Sequence, residues 1–130
     1  MSYEIRTEGS CTDGIGIWSY AVKYSDRRSN TEEVHSDCGE EAGTTDIQMK
    51  LMAILMALTY VQSLDAVAPV LIRSDCVLCV KCITKEFDCT SAYRFKRYKV
   101  TRGFVQYLQE IWWKMANLNV RFETSDSAIT

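Results

Sequence analysis

A single α/β domain built on a five-stranded mixed sheet is what this sequence predicts, and three observations carry that prediction. The first third alternates apolar and polar residues at the two-residue period of half-buried strands. Thr45-Asp46-Ile47-Gln48 has the Ser/Thr-x-x-Glu/Gln pattern that caps a helix start, and an almost wholly apolar run follows it. Beyond Pro69, short apolar strand runs alternate with helical periodicity, giving the element order β-β-β-α-β-α-α-β, with meander strands first and crossover helices after.

Each element has its own signal. Tyr3, Ile5 and Thr7 alternate with Glu4, Arg6 and Glu8, so a first strand is expected to end near Glu8. A loop over Gly9 to Gly16 leads to a second strand over Ile17 to Tyr24, and Ser25 to Asn30 reads as a hairpin tip. A third, acidic strand is expected around Glu33 to Cys38. The helix opened by Thr45 should run to about Leu64, and its apolar residues lie nearly all round, so it is expected to be central and buried. Val70-Leu71-Ile72 is a short apolar run of the buried-strand kind, with Asp75 at its C-terminal end. A helix from about Cys76 to Phe87 follows. Phe104, Tyr107, Leu108, Ile111, Trp112 and Met115 then form a one-sided helical stripe, Asn117 is a C-cap candidate, and Leu118, Val120 and Phe122 alternate as a last strand.

Composition narrows the class. The chain has 130 residues, 47% hydrophobic and 25% charged, with one Pro and six Gly, which excludes disordered and collagen-like chains. The longest apolar stretch, Leu51 to Val61, is far short of a membrane span, and Glu4, Arg6 and Glu8 interrupt any leader-like start, so a soluble protein with no membrane partner is expected. The net charge of -2 hides two opposed blocks. Glu32, Glu33, Asp37, Glu40, Glu41 and Asp46 form an acidic run with no base, and Arg94, Lys96, Arg97, Lys99 and Arg102 a basic run with no acid. Six cysteines without a secretory signal point to reduced thiols in a cytoplasmic or nuclear setting. Cys76, Cys79 and Cys82 have C-x2-C-x2-C spacing, which three readings fit: small hydrophobes packing a helix on a sheet, metal ligands, or redox-active thiols.

Carboxylates at the C-terminal ends of adjacent strands converge on one crevice and are natural metal ligands, and Glu8 and Asp75 hold such positions. Three motifs around them resemble type 1 ribonuclease H. Thr7-Glu8-Gly9-Ser10-Cys11 is similar to the T-D-G-S-C that ends that family's first strand. Thr44-Thr45-Asp46-Ile47-Gln48-Met49-Lys50-Leu51-Met52-Ala53 resembles the T-T-N-N-R-M-E-L-M-A opening its first helix, and Ser74-Asp75-Cys76-Val77-Leu78-Cys79 with Ile83-Thr84 resembles the T-D-S-Q-Y-V…I-T after its fourth strand. The resemblance spans about residues 3 to 123 and implies a ribonuclease H-like fold. It also implies cleavage of the RNA strand of an RNA/DNA hybrid by two Mg²⁺ ions held by four carboxylates, one ion activating water and the other stabilising the leaving oxygen.

The site residues depart from that pattern. The first acid is Glu8 rather than Asp, the helix glutamate is replaced by Lys50, and the third acid is Asp75 as the family has it. The fourth belongs to a final C-terminal helix that the chain, ending at Thr130, is expected to lack, which leaves Asp126 as the late carboxylate. The sole histidine, His35, lies in the acidic region, not in a catalytic loop. An ammonium about 4 Å from a divalent ion, at an effective dielectric of 20, costs on the order of 8 kcal/mol before relaxation, and Mg²⁺ depends on carboxylate count. Glu8, Asp75 and Asp126 are therefore expected to be vestigial, with Glu8 and Asp75 the metal ligands only if a metal binds. Lys50 is expected either to bridge Glu8 and Asp75 as a built-in cation or to extend to solvent.

For binding, Tyr93 to Lys99 interleaves aromatics with bases, which suits phosphate contacts plus stacking. The resemblance assigns Arg94, Phe95, Lys96, Arg97, Lys99 and Arg102 to a basic protrusion that grips the hybrid, and the backbone of Gly9, Ser10 and Cys11 to ribose 2′-hydroxyls. Asp46 and Val77 stand where the family has an asparagine and a glutamine near the nucleic acid, and an added carboxylate repels phosphate. Three readings remain open. The first, preferred, is a catalytically inactive or strongly impaired ribonuclease H-like domain that binds nucleic acid or a nucleoprotein, with no cofactor. The second is an Mg²⁺- or Mn²⁺-dependent ribonuclease H acting on RNA/DNA hybrids. The third is a protein-interaction module, of the kind a virus or mobile element would keep, that retains only the fold.

Overall fold

The computed structural model describes residues 2–25, 31–64, 68–85 and 102–124. The elements are β1 (Ser2–Thr12), β2 (Ile15–Ser25), β3 (Thr31–Ala42), α1 (Asp46–Ser63), β4 (Val70–Ser74), α2 (Val77–Ile83), α3 (Arg102–Met115) and β5 (Val120–Thr124). Element order and type are those the sequence predicts. The sheet runs β3-β2-β1-β4-β5, with β1, β2 and β3 antiparallel and β4 parallel to both β1 and β5.

The first strands are longer than the alternation pattern implies. β1 continues past Glu8 to Thr12, β2 starts at Ile15, and the two-residue turn Asp13-Gly14 has φ of 54° and 77°. Positive φ at both turn positions matches the right-handed twist of a hairpin, so Asp-Gly replaces the expected eight-residue loop. The pattern breaks at Gly9 for a different reason: α1 crosses directly over it. A Cβ at Gly9 would stand 2.4 Å from the Lys50 backbone nitrogen and the Met49 carbonyl carbon. Glycine here marks a close backbone approach inside a strand.

β3 is the sheet edge and is mostly exposed along its acidic length. Val22 pairs with His35 and Lys23 with Glu33, so Val34 is the extra residue of a bulge. Carboxylates and a bulge on an edge strand discourage pairing with another chain. Further along, Gly39 leaves room for the Trp18 indole.

The inward face of the sheet supplies Ile5, Trp18, Tyr20, Val22, Val70 and Ile72, and the helices pack against that face. α1 buries Met49, Leu51, Ala53, Ile54, Leu55, Ala57, Leu58 and Val61, the central helix its composition predicts. Its N-cap is Thr45, whose Oγ1 accepts the Gln48 N–H at 3.2 Å. The Gln48 side chain does not reach back to the cap nitrogen; it accepts from the Thr44 hydroxyl at 3.0 Å. From Tyr107 on, the expected α3 stripe faces the core, with Leu108 and Ile111 fully buried and the Trp112 indole donating to the Ile83 carbonyl at 2.8 Å; the Phe104 side chain lies outside what is described. α3 ends at Met115, so Asn117 lies in the following turn and is not the cap.

The outward face carries charge instead. Arg73 on β4 reaches Glu4 on β1 at 3.1 Å and Glu123 on β5 at 3.5 Å, a three-strand ion-pair row. Among the described residues no helix is long and apolar enough to cross a membrane. α2 is shorter than the expected run from Cys76 to Phe87: Cys76 is its N-cap, it ends at Ile83 with Thr84 as C-cap, and Lys85 takes a φ of 65° that leaves the helix.

Two substitutions test this account of the α1–β1 contact. Gly9→Ala inserts a methyl into backbone with no side chain free to yield, and is expected to destabilise by about 3 kcal/mol, read as a lowered midpoint in denaturant. Thr45→Ala removes one cap bond and should cost about 1 kcal/mol, with little change in the denaturant slope.

Candidate functional site

Parallel pairing of β1 with β4 sets Thr7 opposite Ser74, so Glu8 and Asp75 emerge side by side where β4 ends. The first turns of α1 cross the same point and deliver Lys50. These groups and Ser10, Ile17 and Ser19 line a shallow depression of about 310 Å³. Glu8, Lys50 and Asp75, grouped by the sequence reading, thus border one depression.

The connection among them differs from the expected bridge. The Lys50 ammonium donates to the Gly9 carbonyl at 2.9 Å and to the two Asp75 carboxylate oxygens at 3.3 and 3.4 Å. Its second acceptor is thus a main-chain oxygen rather than the Glu8 carboxylate. Strand alternation explains this, because Glu8 projects toward the open face of the sheet while Gly9 lies under α1. The Lys50 side chain is 22% exposed and that of Asp75 48%, so the ion pair is partly screened and modest in strength. The carbonyl bond is charge-assisted, and it is made where Lys50 already lies against β1.

The Gly9-Ser10-Cys11 segment is also held by α1. The Cys11 N–H donates to the Asp46 carboxylate, and the Cys11 thiol donates to the Thr44 carbonyl at 3.4 Å. One of the backbone donors that the family resemblance assigns to ribose is therefore already engaged. Gly9 and Ser10 border the depression.

Beyond Asp75, Cys76 caps α2 with its own sulfur, which accepts the Cys79 N–H at 3.3 Å, while its N–H donates to Ser74 Oγ at 3.2 Å. Cys79 is fully buried. The Cys76 thiol is lowered to about 7, first by hydrogen bonding with Cys79 and also by the nearby Lys50 charge, against an opposing effect of burial. Cys79 is pushed strongly the other way by the same hydrogen bond and by burial.

His35 lies well away from the depression, on β3. Its ring stacks on Tyr60 at 3.9 Å and 5°, and Nε2 is 3.0 Å from the Tyr20 hydroxyl. Burial raises the Tyr20 phenol above its ordinary value, helped by Asp37 and Tyr60. Sequence reasoning missed this aromatic cluster; its members are spread over residues 20, 35 and 60 and share no spacing. It also missed the two acceptors that fix the site, Gly9 O and the cysteine cap. The glycine within a strand pattern was the available signal for the first.

Asp126, Arg94, Phe95, Lys96, Arg97 and Lys99 lie outside the described residues, and Arg102 is described only as the first residue of α3. Among the described residues no three His, Cys, Asp or Glu side chains are grouped to hold a metal ion. Of the described residues, the carboxylates bordering the depression are Glu8 and Asp75, and Asp75 already faces an ammonium. Two carboxylates among the described residues, with an ammonium on one of them, do not fit a pair of Mg²⁺ ions, each of which takes several oxygen ligands.

No family model matches the chain. A ribonuclease H of Treponema denticola is 38% identical over 60 residues, covering 45% of this chain and 36% of that protein. A ribonuclease H of a Cyanothece strain is 28% identical over 120 residues, covering 91% of this chain and 71% of that protein. The chain thus spans about a third of the first relative's length. Among solved structures, LC9-RNase H1, described as a type 1 RNase H with the type 2 active-site motif, superposes with a TM-score of 0.74 at 15% identity, over 95% of this chain and 62% of that one. LC11-RNase H1, solved in complex with RNA/DNA hybrid, gives 0.63 at 17% identity, over 96% and 87%. Strand order, element order and these matches show a ribonuclease H-like fold in a chain similar to ribonucleases H.

Proposed function

We propose that this chain is a ribonuclease H-like domain without effective nuclease activity that binds nucleic acid, using Lys50 as a fixed cation where the enzymes of the family hold metal. One observation carries the reading: the Lys50 ammonium sits on the Asp75 carboxylate and the Gly9 carbonyl. A divalent ion entering there has to displace the ammonium or coexist with it. At about 4 Å and an effective dielectric of 20 the repulsion is on the order of 8 kcal/mol. The half-exposed Asp75 lets solvent screen a good part of that repulsion, but the sign is unchanged.

The binding half of the proposal rests on the superfamily and on composition. LC11-RNase H1 was solved with an RNA/DNA hybrid. The interleaved aromatics and bases of residues 93–102 supply phosphate and stacking groups. The partner proposed is an RNA/DNA hybrid or RNA, alone or within a nucleoprotein complex. Asp46 weakens contact at the Gly9-Ser10-Cys11 segment, both as a carboxylate and as the acceptor of the Cys11 N–H. The basic run, rather than the segment over the depression, is therefore the main proposed contact.

Fluorescence anisotropy with a labelled RNA/DNA hybrid, run with a cleavage assay in Mg²⁺ and in Mn²⁺, tests both halves. The expected outcome is binding without cleavage, with a log–log salt slope of about -0.9 per phosphate neutralised. Lys96→Ala with Arg97→Ala should flatten that slope by about 2 units. Metal-dependent cleavage that Asp75→Asn abolishes would establish an active ribonuclease H instead. Absence of hybrid and RNA binding at low salt would favour a protein-interaction module.

A further inference from the structure

We infer that Cys76 and Cys79 form a dithiol pair that closes reversibly into an intramolecular disulfide by exchange with a low-molecular-weight disulfide such as glutathione disulfide. This goes beyond the proposed nucleic-acid binding and does not rest on it. Both thiols are free. Cys76 is partly exposed and Cys79 is fully buried. The Cys76 sulfur is aimed at its partner's main chain, where it accepts the Cys79 N–H at 3.3 Å. Cys76 caps α2 and Cys79 lies three residues on in its first turn, an axial rise of roughly 4.5 Å, which suits the Cα separation of about 4.4–6.8 Å that a disulfide spans. Cys82, a turn further on, is disulfide-bonded, contrary to the reduced thiols expected from the sequence, and is not a third member of the pair.

The accessibility difference orders the chemistry. The Cys76 thiolate attacks one sulfur of the small disulfide, forming a mixed disulfide and releasing one small thiolate. The Cys79 sulfur then attacks Cys76 Sγ, giving up its proton and expelling the second small thiolate. The dithiol loses two electrons and two protons, and one small disulfide becomes two small thiols. Cys76 adjoins Asp75, and its N–H is held by Ser74, so the bond forms beside the Lys50 contact.

Peptide chemistry makes the test direct. Cleavage after Arg73 and Lys81 releases residues 74–81, which contain Cys76 and Cys79 and no other cysteine. The full chain is reduced, equilibrated in glutathione buffers of graded ratio, acid-quenched, alkylated, digested and weighed. The expected peptide 74–81 is unalkylated and lacks two hydrogens, in a fraction that rises with glutathione disulfide and returns to zero with dithiothreitol. Cys79→Ala should accumulate a glutathione adduct on Cys76 that the wild type does not. Double alkylation at every ratio, a persistent adduct on wild-type Cys76, or linkage of this peptide to residues 82–85 would each overturn the inference. The wild-type measurement stands even where the variant disturbs the core.

Discussion

The close approach of α1 to β1 at Gly9 is the constraint on which the rest of the site depends. With no Cβ at that position, the helix backbone rests on the strand, and three residues in the first turns of α1 and just before it acquire partners on β1. Asp46 takes the Cys11 N–H, Thr44 takes the Cys11 thiol, and Lys50 reaches the Gly9 carbonyl. From there the ammonium extends to Asp75 at the end of the neighbouring parallel strand. Strand, helix and strand end are thereby tied through one charge. The bond to the carbonyl is shorter than the contacts to the carboxylate, and charge-assisted bonds to a main-chain acceptor keep their value better than an exposed ion pair does.

On the proposed reading, the same arrangement sets the chemistry of the site apart from the fold that carries it. The superfamily's scaffold is present, with its strand order and its crevice at the β1 and β4 ends. Fold does not fix activity, which depends on the groups placed in the crevice. Here a positive charge arrives on the helix where chemistry with divalent ions needs a negative one. The change is two units at one position, larger in local effect than anything in the whole-chain balance of -2.

Much of the fold was legible because the chain's local signals agree with one another. The Thr45 cap, the apolar length of α1 and the stripe on α3 each predict the element found. The errors concentrate where tertiary contact overrides local pattern. Gly9 reads as a loop residue, yet it is mid-strand, since the reason for glycine is a helix brought in from 41 residues away. β3 reads as short because an exposed acidic edge shows no apolar alternation, although main-chain pairing to β2 extends it from Thr31 to Ala42. In the site, Glu8, Lys50 and Asp75 were found from their positions in motifs. The Gly9 carbonyl was not, since a main-chain acceptor leaves no mark on residue type. The sulfur cap of α2 went unseen for a similar reason, because cysteine is not among the residues ordinarily expected to cap a helix.

The most direct test of the built-in cation is a calorimetric titration of Mg²⁺, and separately Mn²⁺, into the wild-type chain and into Lys50→Glu. The account predicts no saturable heat for the wild type through the millimolar range. It predicts saturable binding for Lys50→Glu, where a third carboxylate joins Glu8 and Asp75, with thermal stability that rises as metal is added. Wild-type binding as tight as that of Lys50→Glu would contradict it, because an ammonium that occupies the metal's place cannot leave the site's affinity unchanged.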